Sequence, residues 1–465
     1  MNQSNKSGVP LHHVAAARPC GQPQLATTDS CGYLTCALFA SFITAQPPTA
    51  LTTTLHPVHN NERIQLMDAL RGLAILGIFI ANLGVGFSFY EYKPDNAGPY
   101  FHPWDHAFLF LERMFIEGKF YSIFSFLFGW GMALQLQRSE AKGISPVAFM
   151  RRRLTVMLLL GLAHLLLLWP GDIVAFYALV GFVFLWIRNW SSRTLLFTAI
   201  GCLVLPVLLY YLKMQFPVLL APAGLLFNAG GWVDAHVSGI SGPDGFAQFL
   251  SKLKSGTYVD QLQLLLSGIF YRYGDLLFQD RFFKVLGMVI LGYLMGRNNR
   301  YKQLLINKQR LWLVAVGGLL LGLPCNYLLA RYMEGNGYGQ MQTEGLLRCV
   351  VYALGVAPLA LTYMSLFFLL ALTKGGQLLI RVLQPAGKMA FTNYILHSVI
   401  GMFVFYGPGL GLLQEVGPVV YTGFAWLVFV AQVLVSTLWL HYFKFGPVEW
   451  LWRSATYGKW QALRK

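Results

Sequence analysis

Apolar runs close to the length of a bilayer crossing recur from one end of this chain to the other, and they leave few folds open. A hydrocarbon core of ~30 Å takes about 20 residues of helix. Runs of this kind fall at roughly 69–90, 118–137, 153–170, 172–188, 194–212, 276–296, 311–330, 348–372, 388–407 and 419–441. Leu154–Trp169 shows none of the in-out alternation that an outer-membrane strand needs. With 56% hydrophobic and only 12% charged residues, the composition lies far from the soluble average of roughly a quarter charged. The reading is an all-α, polytopic membrane protein of about ten transmembrane helices.

Charge sets the orientation. With both termini inside, the inner segments hold 24 Lys/Arg and 5 acidic residues, and the remainder hold 11 and 14, so the net +16 divides into +19 and −3. This is the positive-inside pattern, giving an N-in, C-in membrane protein. The basic excess therefore reads as topology. Anionic lipid headgroups are its natural partner, and nucleic acid is not.

The chain divides into five parts. Residues 1–61 are rich in Gly, Pro, Ser, Thr and Gln and read as a disordered extension or an upstream misassigned start. Residues 62–212 form an N-terminal five-helix half. Residues 213–275 form an exterior segment, Gly/Pro-rich to Gly245, then carrying Phe246, Phe249, Leu250, Leu253 and later Leu262, Leu265, Leu266 and Ile269 at helical spacing, as in one or two interfacial helices. Residues 276–441 form the second five-helix half, and 442–465 a cytoplasmic tail anchored by Trp450, Trp452 and Trp460. Cys20, Cys31, Cys36, Cys202, Cys325 and Cys349 show neither zinc nor disulfide spacing. His102, Asp105 and His106 make only a weak metal pattern, and no metal site is expected.

Polar residues inside apolar runs carry the chemistry, because a buried polar group in a bilayer is costly without a partner or a task. Arg71 and Asn82 are eleven residues apart, as are Arg153 and His164. That spacing brings both members of each pair onto one helix face about 16 Å apart. His164 is the candidate general base, since imidazole ordinarily titrates near neutrality. Asp172 would reach it only by folding back through the Pro170-Gly171 turn. Asn82 is a candidate donor to a carbonyl oxygen. Asn393 and His397, at i and i+4, share a face of the ninth span, and Glu117 stands at the entrance of the second. Arg71, Arg151, Arg152, Arg153 and Lys388 could grip phosphate oxygens. Each of these residues also has a plain structural reading, as an interhelical hydrogen bond or a topology determinant. Gly129-Trp130-Gly131 reads as close helix packing.

Several of these residues lie in longer motifs. Arg71-Gly-Leu-Ala-Ile-Leu-Gly-Ile with Asn82, Gly118-Lys-Phe, Phe124-Ser-Phe-Leu-Phe-Gly129-Trp-Gly131 and Gly161-Leu-Ala-His164 occur in the first half. Trp169-Pro-Gly-Asp172, Gly387-Lys-Met-Ala-Phe-Thr-Asn393-Tyr and Gly446-Pro-Val-Glu449-Trp-Leu-Trp-Arg453 follow in order. Over residues 62–458 the chain resembles the YeiB family, whose C-terminal half is domain of unknown function 418. That family is distantly similar to transmembrane acyltransferases, the acyltransferase-3 and heparan-α-glucosaminide N-acetyltransferase groups. The resemblance implies an acyl group, such as acetyl, passing from cytoplasmic acyl-CoA to an envelope carbohydrate, lipid or small metabolite, with no tightly bound cofactor. Arg71 matches the basic position of the acyltransferase-3 signature, and Asn82 stands where that signature has histidine. The glucosaminide group also has Asn there and a histidine eleven residues on, where this chain has Lys93. A secondary transporter and a noncatalytic scaffold are the alternative readings of the same polar residues. The oligomeric state is left open.

Overall fold

The computed structural model of the protein describes residues 60–92, 98–141, 143, 145–335 and 337–465. The expectations for residues 1–59, for Cys20, Cys31 and Cys36, and for Lys93 lie outside the described residues. All ten apolar runs are helices: α1 (Asn60–Asn82), α3 (Lys119–Ala141), α4 (Pro146–Leu167), α5 (Val174–Ile187) and α6 (Ser192–Gln215) in the first half. In the second are α10 (Arg281–Gly296), α12 (Lys308–Tyr332), α13 (Thr343–Leu370), α15 (Ala390–Phe405) and α16 (Pro418–Tyr442). Six helices, Gln65–Tyr92 with its π-helical extension among them, are long and apolar enough to cross a membrane, and α5 and α15 are shorter apolar helices. The protein is an all-helical, multi-pass membrane protein.

Without a hydrophobic force between helices in lipid, close approach of backbones supplies the attraction. The glycines permit it. A methyl on Gly129 would fall 1.9 Å from the Val289 carbonyl oxygen, and one on Gly292 would fall 1.8 Å from that of Phe126, so α3 and α10 touch backbone to backbone. The packing reading of Gly129-Trp130-Gly131 agrees with this contact.

Among the described residues, seven further α-helices connect or flank the spans. On the face that the charge pattern assigns to the cytoplasm lie α11 (Arg300–Ile306), α14 (Lys374–Lys388) and α17 (Pro447–Tyr457). The sequence reading left 374–388 as a loop. It is a helix because Leu383 and Ala386 bury against α1 while Leu378, Leu379 and Val382 stay exposed on a second apolar face.

On the opposite face lie α2 (Asp105–Phe115), α7 (Ala221–Val233), α8 (Gly245–Ser255) and α9 (Tyr258–Phe278). The Gly/Pro-rich stretch before Gly245 holds a helix that the sequence reading did not place. Pro217 and Pro222 stand at helix starts, where their missing N–H costs nothing. Through its flanking turns this helix runs from Pro217 to Ser238, long and apolar enough to cross a bilayer.

It pairs with α9, with Gly230 against Tyr271 and Gly274 against Phe227. One end of α9 is held by the Tyr258 hydroxyl donating to the Leu167 carbonyl (2.7 Å). Past its other end, Asp280 pairs with Lys213 (2.8 Å). Leu167 and Lys213 both sit where a span emerges from the basic face's opposite side. The α7–α9 pair therefore lies across that end of the bundle.

Candidate functional site

The turn after α4 decides the site. Leu168 and Trp169 both donate their N–H to the His164 carbonyl (2.9 and 3.1 Å), which stops the helix and turns the chain back. Asp172 thereby returns to His164. The Nδ1–H of His164 donates to Asp172 Oδ1 (2.8 Å), while Asp172 Oδ2 accepts from the Ala175 N–H (2.6 Å) at the start of α5. With Nδ1 carrying the proton toward a carboxylate, Nε2 is left as an acceptor, and Ser398 Oγ on α15 donates to it (2.8 Å). His164, Asp172 and Ser398 are 3%, 2% and 1% exposed, so this serine–histidine–aspartate chain is shielded from bulk water. A methyl on Gly161 would lie 2.2 Å from the Ala175 nitrogen, so glycine there lets α4 and α5 close around the pair.

Tyr394 forms the floor between this chain and a cavity. Its ring lies 5.2 Å from that of His164, and its hydroxyl accepts from the Ile173 N–H (3.2 Å). The cavity, about 440 Å³, is lined at this inner end by Ile173, Val174, Tyr177 and Tyr394 and along its walls by Phe124, Phe128, Leu154 and Met157. Its outer lining is basic, with Arg71, Arg138, Arg153, Lys388, Lys444 and Arg453 against Asp68 and Glu449. Arg71 bonds Asp68 (2.7 Å), and the Arg153 guanidinium lies 3.7 Å over the Trp452 ring.

The tail helix closes one wall. Trp452 Nε1 donates to the Arg153 carbonyl (3.1 Å), and Glu449 accepts from the N–H groups of Phe391 and Thr392 (2.6 and 3.1 Å), capping α15. Burial pushes the Glu449 carboxyl above the usual range, and the Thr392 hydrogen bonds pull against that shift.

The structure gathers some candidate residues and separates others. Arg71, Arg153 and Lys388 line the cavity, whereas Arg151 and Arg152 are exposed and lie off it. Successive residues on a helix face about 100° apart, so only one of the three consecutive arginines turns inward. Asn393 and His397 form a different network, toward α16. His397 Nε2–H donates to Gln432 Oε1 (2.8 Å), Gln432 donates to the Asn393 carbonyl (3.2 Å), and Asn393 donates to Ser436 Oγ (3.2 Å). His397 also stacks on Phe79 at 3.9 Å.

Asn82 is half-buried where α1 passes into the π-helical turn Leu83–Ser88, and it does not line the cavity. Glu117 stands off the cavity, at the turn between α2 and α3, within electrostatic range of Arg281. Asp105 caps its surroundings, accepting from the N–H groups of His102 and Val419 (both 2.8 Å).

Sequence reasoning passed over Ser398 and Tyr394. Their i, i+4 spacing beside Asn393 and His397 gave α15 two polar faces, and only one of them was weighed.

Fold and centre together define a multi-pass helical membrane protein whose spans enclose a buried ionisable chain at the inner end of a basic-mouthed cavity. Residues 295–459 match the family described as Protein of unknown function (DUF418). The chain is 31% identical to YxaH of Bacillus subtilis (strain 168) over 428 residues, covering 89% of this chain and 99% of that protein. It is 30% identical to YeiB of Escherichia coli (strain K12) over 422 residues, covering 85% and 96%. A Bacillus acidopullulyticus 39.9 kDa protein from an amylase 3' region is 29% identical, with 87% and 97% covered. The chain belongs to this YeiB and DUF418 family. No solved structure matches it.

Proposed function

We propose that the protein is a transmembrane acyltransferase of the bacterial inner membrane, using cytoplasmic acyl-CoA to modify an envelope carbohydrate, lipid or small metabolite. The observation that carries the reading is the His164–Asp172–Ser398 chain set behind the inner end of the cavity. A basic outer lining suits CoA phosphates, and an apolar bore suits the pantetheine arm and acyl group. His164, oriented by Asp172, is the general base for the acceptor hydroxyl or amine, and Ser398 holds Nε2 until the acceptor arrives. Asn82 stands off this cavity and is given no part in the transfer. No cofactor beyond the cosubstrate is called for.

A transporter reading draws on the Asn393–His397–Gln432–Ser436 ladder, in which His397 Nδ1 is buried and unpartnered among the described residues. Such ladders within spans serve proton or substrate paths.

The test is acetyl-CoA binding to the purified full-length protein in detergent. Wild type should bind saturably. Arg153→Ala should weaken binding roughly 10- to 100-fold, the weight of one charged hydrogen bond of ~1.5–3 kcal/mol, and His164→Ala should leave it intact. Folded wild type that binds no acetyl-CoA sinks the acyltransferase reading, and counterflow of a small molecule without covalent change would then favour transport.

A further inference from the structure

Off the cavity lining lies a second group of basic side chains, which the acyl-transfer chemistry does not use. Arg272 stands near the end of α9, and Arg281 and Lys284 lie on the first turns of α10. Arg272 and Arg281 are within electrostatic range of each other, as are Arg281 and Lys284. Like charges held this close repel unless an anion lies between them. The carboxylates nearby discharge them only in part, with Asp275 and Glu117 within electrostatic range of Arg281. Asp280 is already held by Lys213 through both oxygens at 2.8 Å, and Asp275 reaches Arg272 only at 4.0 Å.

Arg281 Nη2 donates to Gln279 Oε1 (2.8 Å), and other donors of the group are left over. The Nε–H groups of Arg272 and Arg281 are buried and have no hydrogen-bond partner among the described residues. Lys284 Nζ sits 4.3 Å over the Tyr352 ring. All three residues keep partial exposure. Two tyrosines link the group to the cavity lining. The Tyr177 hydroxyl, on the cavity side, donates to the Tyr121 carbonyl (3.0 Å), and the Tyr121 ring lies 5.4 Å from the Arg281 guanidinium. Arg272 in turn lies within electrostatic range of Asp172.

We infer that Arg272, Arg281 and Lys284 form an anion site, on the opposite side of the reaction centre from the acyl-CoA cavity, that holds a phosphate ester. Two guanidinium forks and an ammonium suit a tetrahedral oxyanion, which offers acceptors in several directions where a carboxylate offers one plane. Calling the ligand the acyl acceptor rests on the proposed function, but the binding itself does not. The phosphate can be that of a lipid headgroup or of a soluble ester, since α9, which carries Arg272, packs on the apolar α7 with its exposed Leu225 and Trp232.

The experiment measures thermal stabilisation of purified full-length protein in detergent by inorganic phosphate, sn-glycerol phosphate and short-chain phosphatidylglycerol. Diacylglycerol of the same chain length is the phosphate-free control. Acetyl-CoA binding is measured on every preparation. Expected is saturable stabilisation by a phosphate compound, weakened at least tenfold in both Arg281→Gln and Lys284→Gln and unchanged in Arg453→Gln, which alters the cavity instead. Phosphatidylglycerol acting alone assigns a lipid headgroup, and glycerol phosphate acting as well assigns a soluble ester.

Folded wild type without saturable phosphate binding, or binding lost in Arg453→Gln and kept in the other two, overturns the site. Where Arg281→Gln fails to fold, Lys284→Gln alone decides. Phosphate binding without acetyl-CoA binding overturns acyl transfer and leaves the anion site standing, and acetyl-CoA binding without phosphate binding does the reverse.

Discussion

At the residue scale the histidine on α4 is distinguished by its two partners. A carboxylate on Nδ1 and a hydroxyl on Nε2 fix both tautomer and ring orientation, which a histidine filling a helix interface does not need. With His164 as general base, His164→Ala should lower acyl transfer by ~10²–10⁴-fold, the usual weight of such a group, while leaving acetyl-CoA binding intact. Ser398→Ala should cost less than tenfold, because the acceptor takes the place of that hydroxyl. A Ser398→Ala enzyme as inactive as His164→Ala would instead make Ser398 the attacking group.

A second residue-scale outcome concerns Glu112 on α2, which accepts from the Tyr421 hydroxyl (2.7 Å). Burial pushes its carboxyl from 4.5 up to about 8, with Glu117 adding to the rise and the Tyr421 bond opposing it. The folded protein thus holds this proton more tightly than the unfolded chain does. Its stabilising effect is complete below about pH 4.5 and is lost as pH rises through about 8. Glu112→Gln, measured by thermal unfolding in detergent, should remove this part of the pH slope. A variant with the wild-type slope would place its origin elsewhere.

At the element scale, backbone contact between α3 and α10 makes the sharpest demand on sequence. Gly292→Leu has nowhere to put its side chain, since a Cβ already falls 1.8 Å from a carbonyl oxygen. Its cost should reach or pass ~3 kcal/mol, the upper end for overpacked cores. Gly201→Leu on α6, where nothing lies within 4 Å, should stay close to wild type. Equal thermal stability of the two variants would contradict the packing described here. The extent of α3 was readable from its hydropathy. Its partner was not, because a glycine can mark a close approach without saying which helix approaches.

Over the whole molecule, the basic-mouthed cavity lies on one side and the α7–α9 pair with the neighbouring cation cluster on the other. The charge pattern assigns these to opposite sides of the membrane. In a cysteine-free background, Trp104→Cys, in the exposed turn before α2, should react in intact cells with a membrane-impermeant thiol reagent, and Trp460→Cys should react only after the membrane is opened. The reverse pattern would invert the topology.

The sequence by itself determined that the chain is a polytopic helical membrane protein, where its ten apolar helices run, and that Arg71, Arg153 and His164 stand out within them. Those properties follow from hydropathy, helical period and charge, which are local and can be read along one strand of sequence. Only the tertiary structure decided that Asp172 turns back to His164, that Ser398 and Tyr394 join them, and that Arg153 alone of its three neighbouring arginines faces the cavity. It also parted Asn393 and His397 from His164, and brought Arg272 beside Arg281 and Lys284. A polar side chain in a membrane must find a partner, but which one depends on how helices far apart in sequence pack and rotate, and hydropathy carries no record of that.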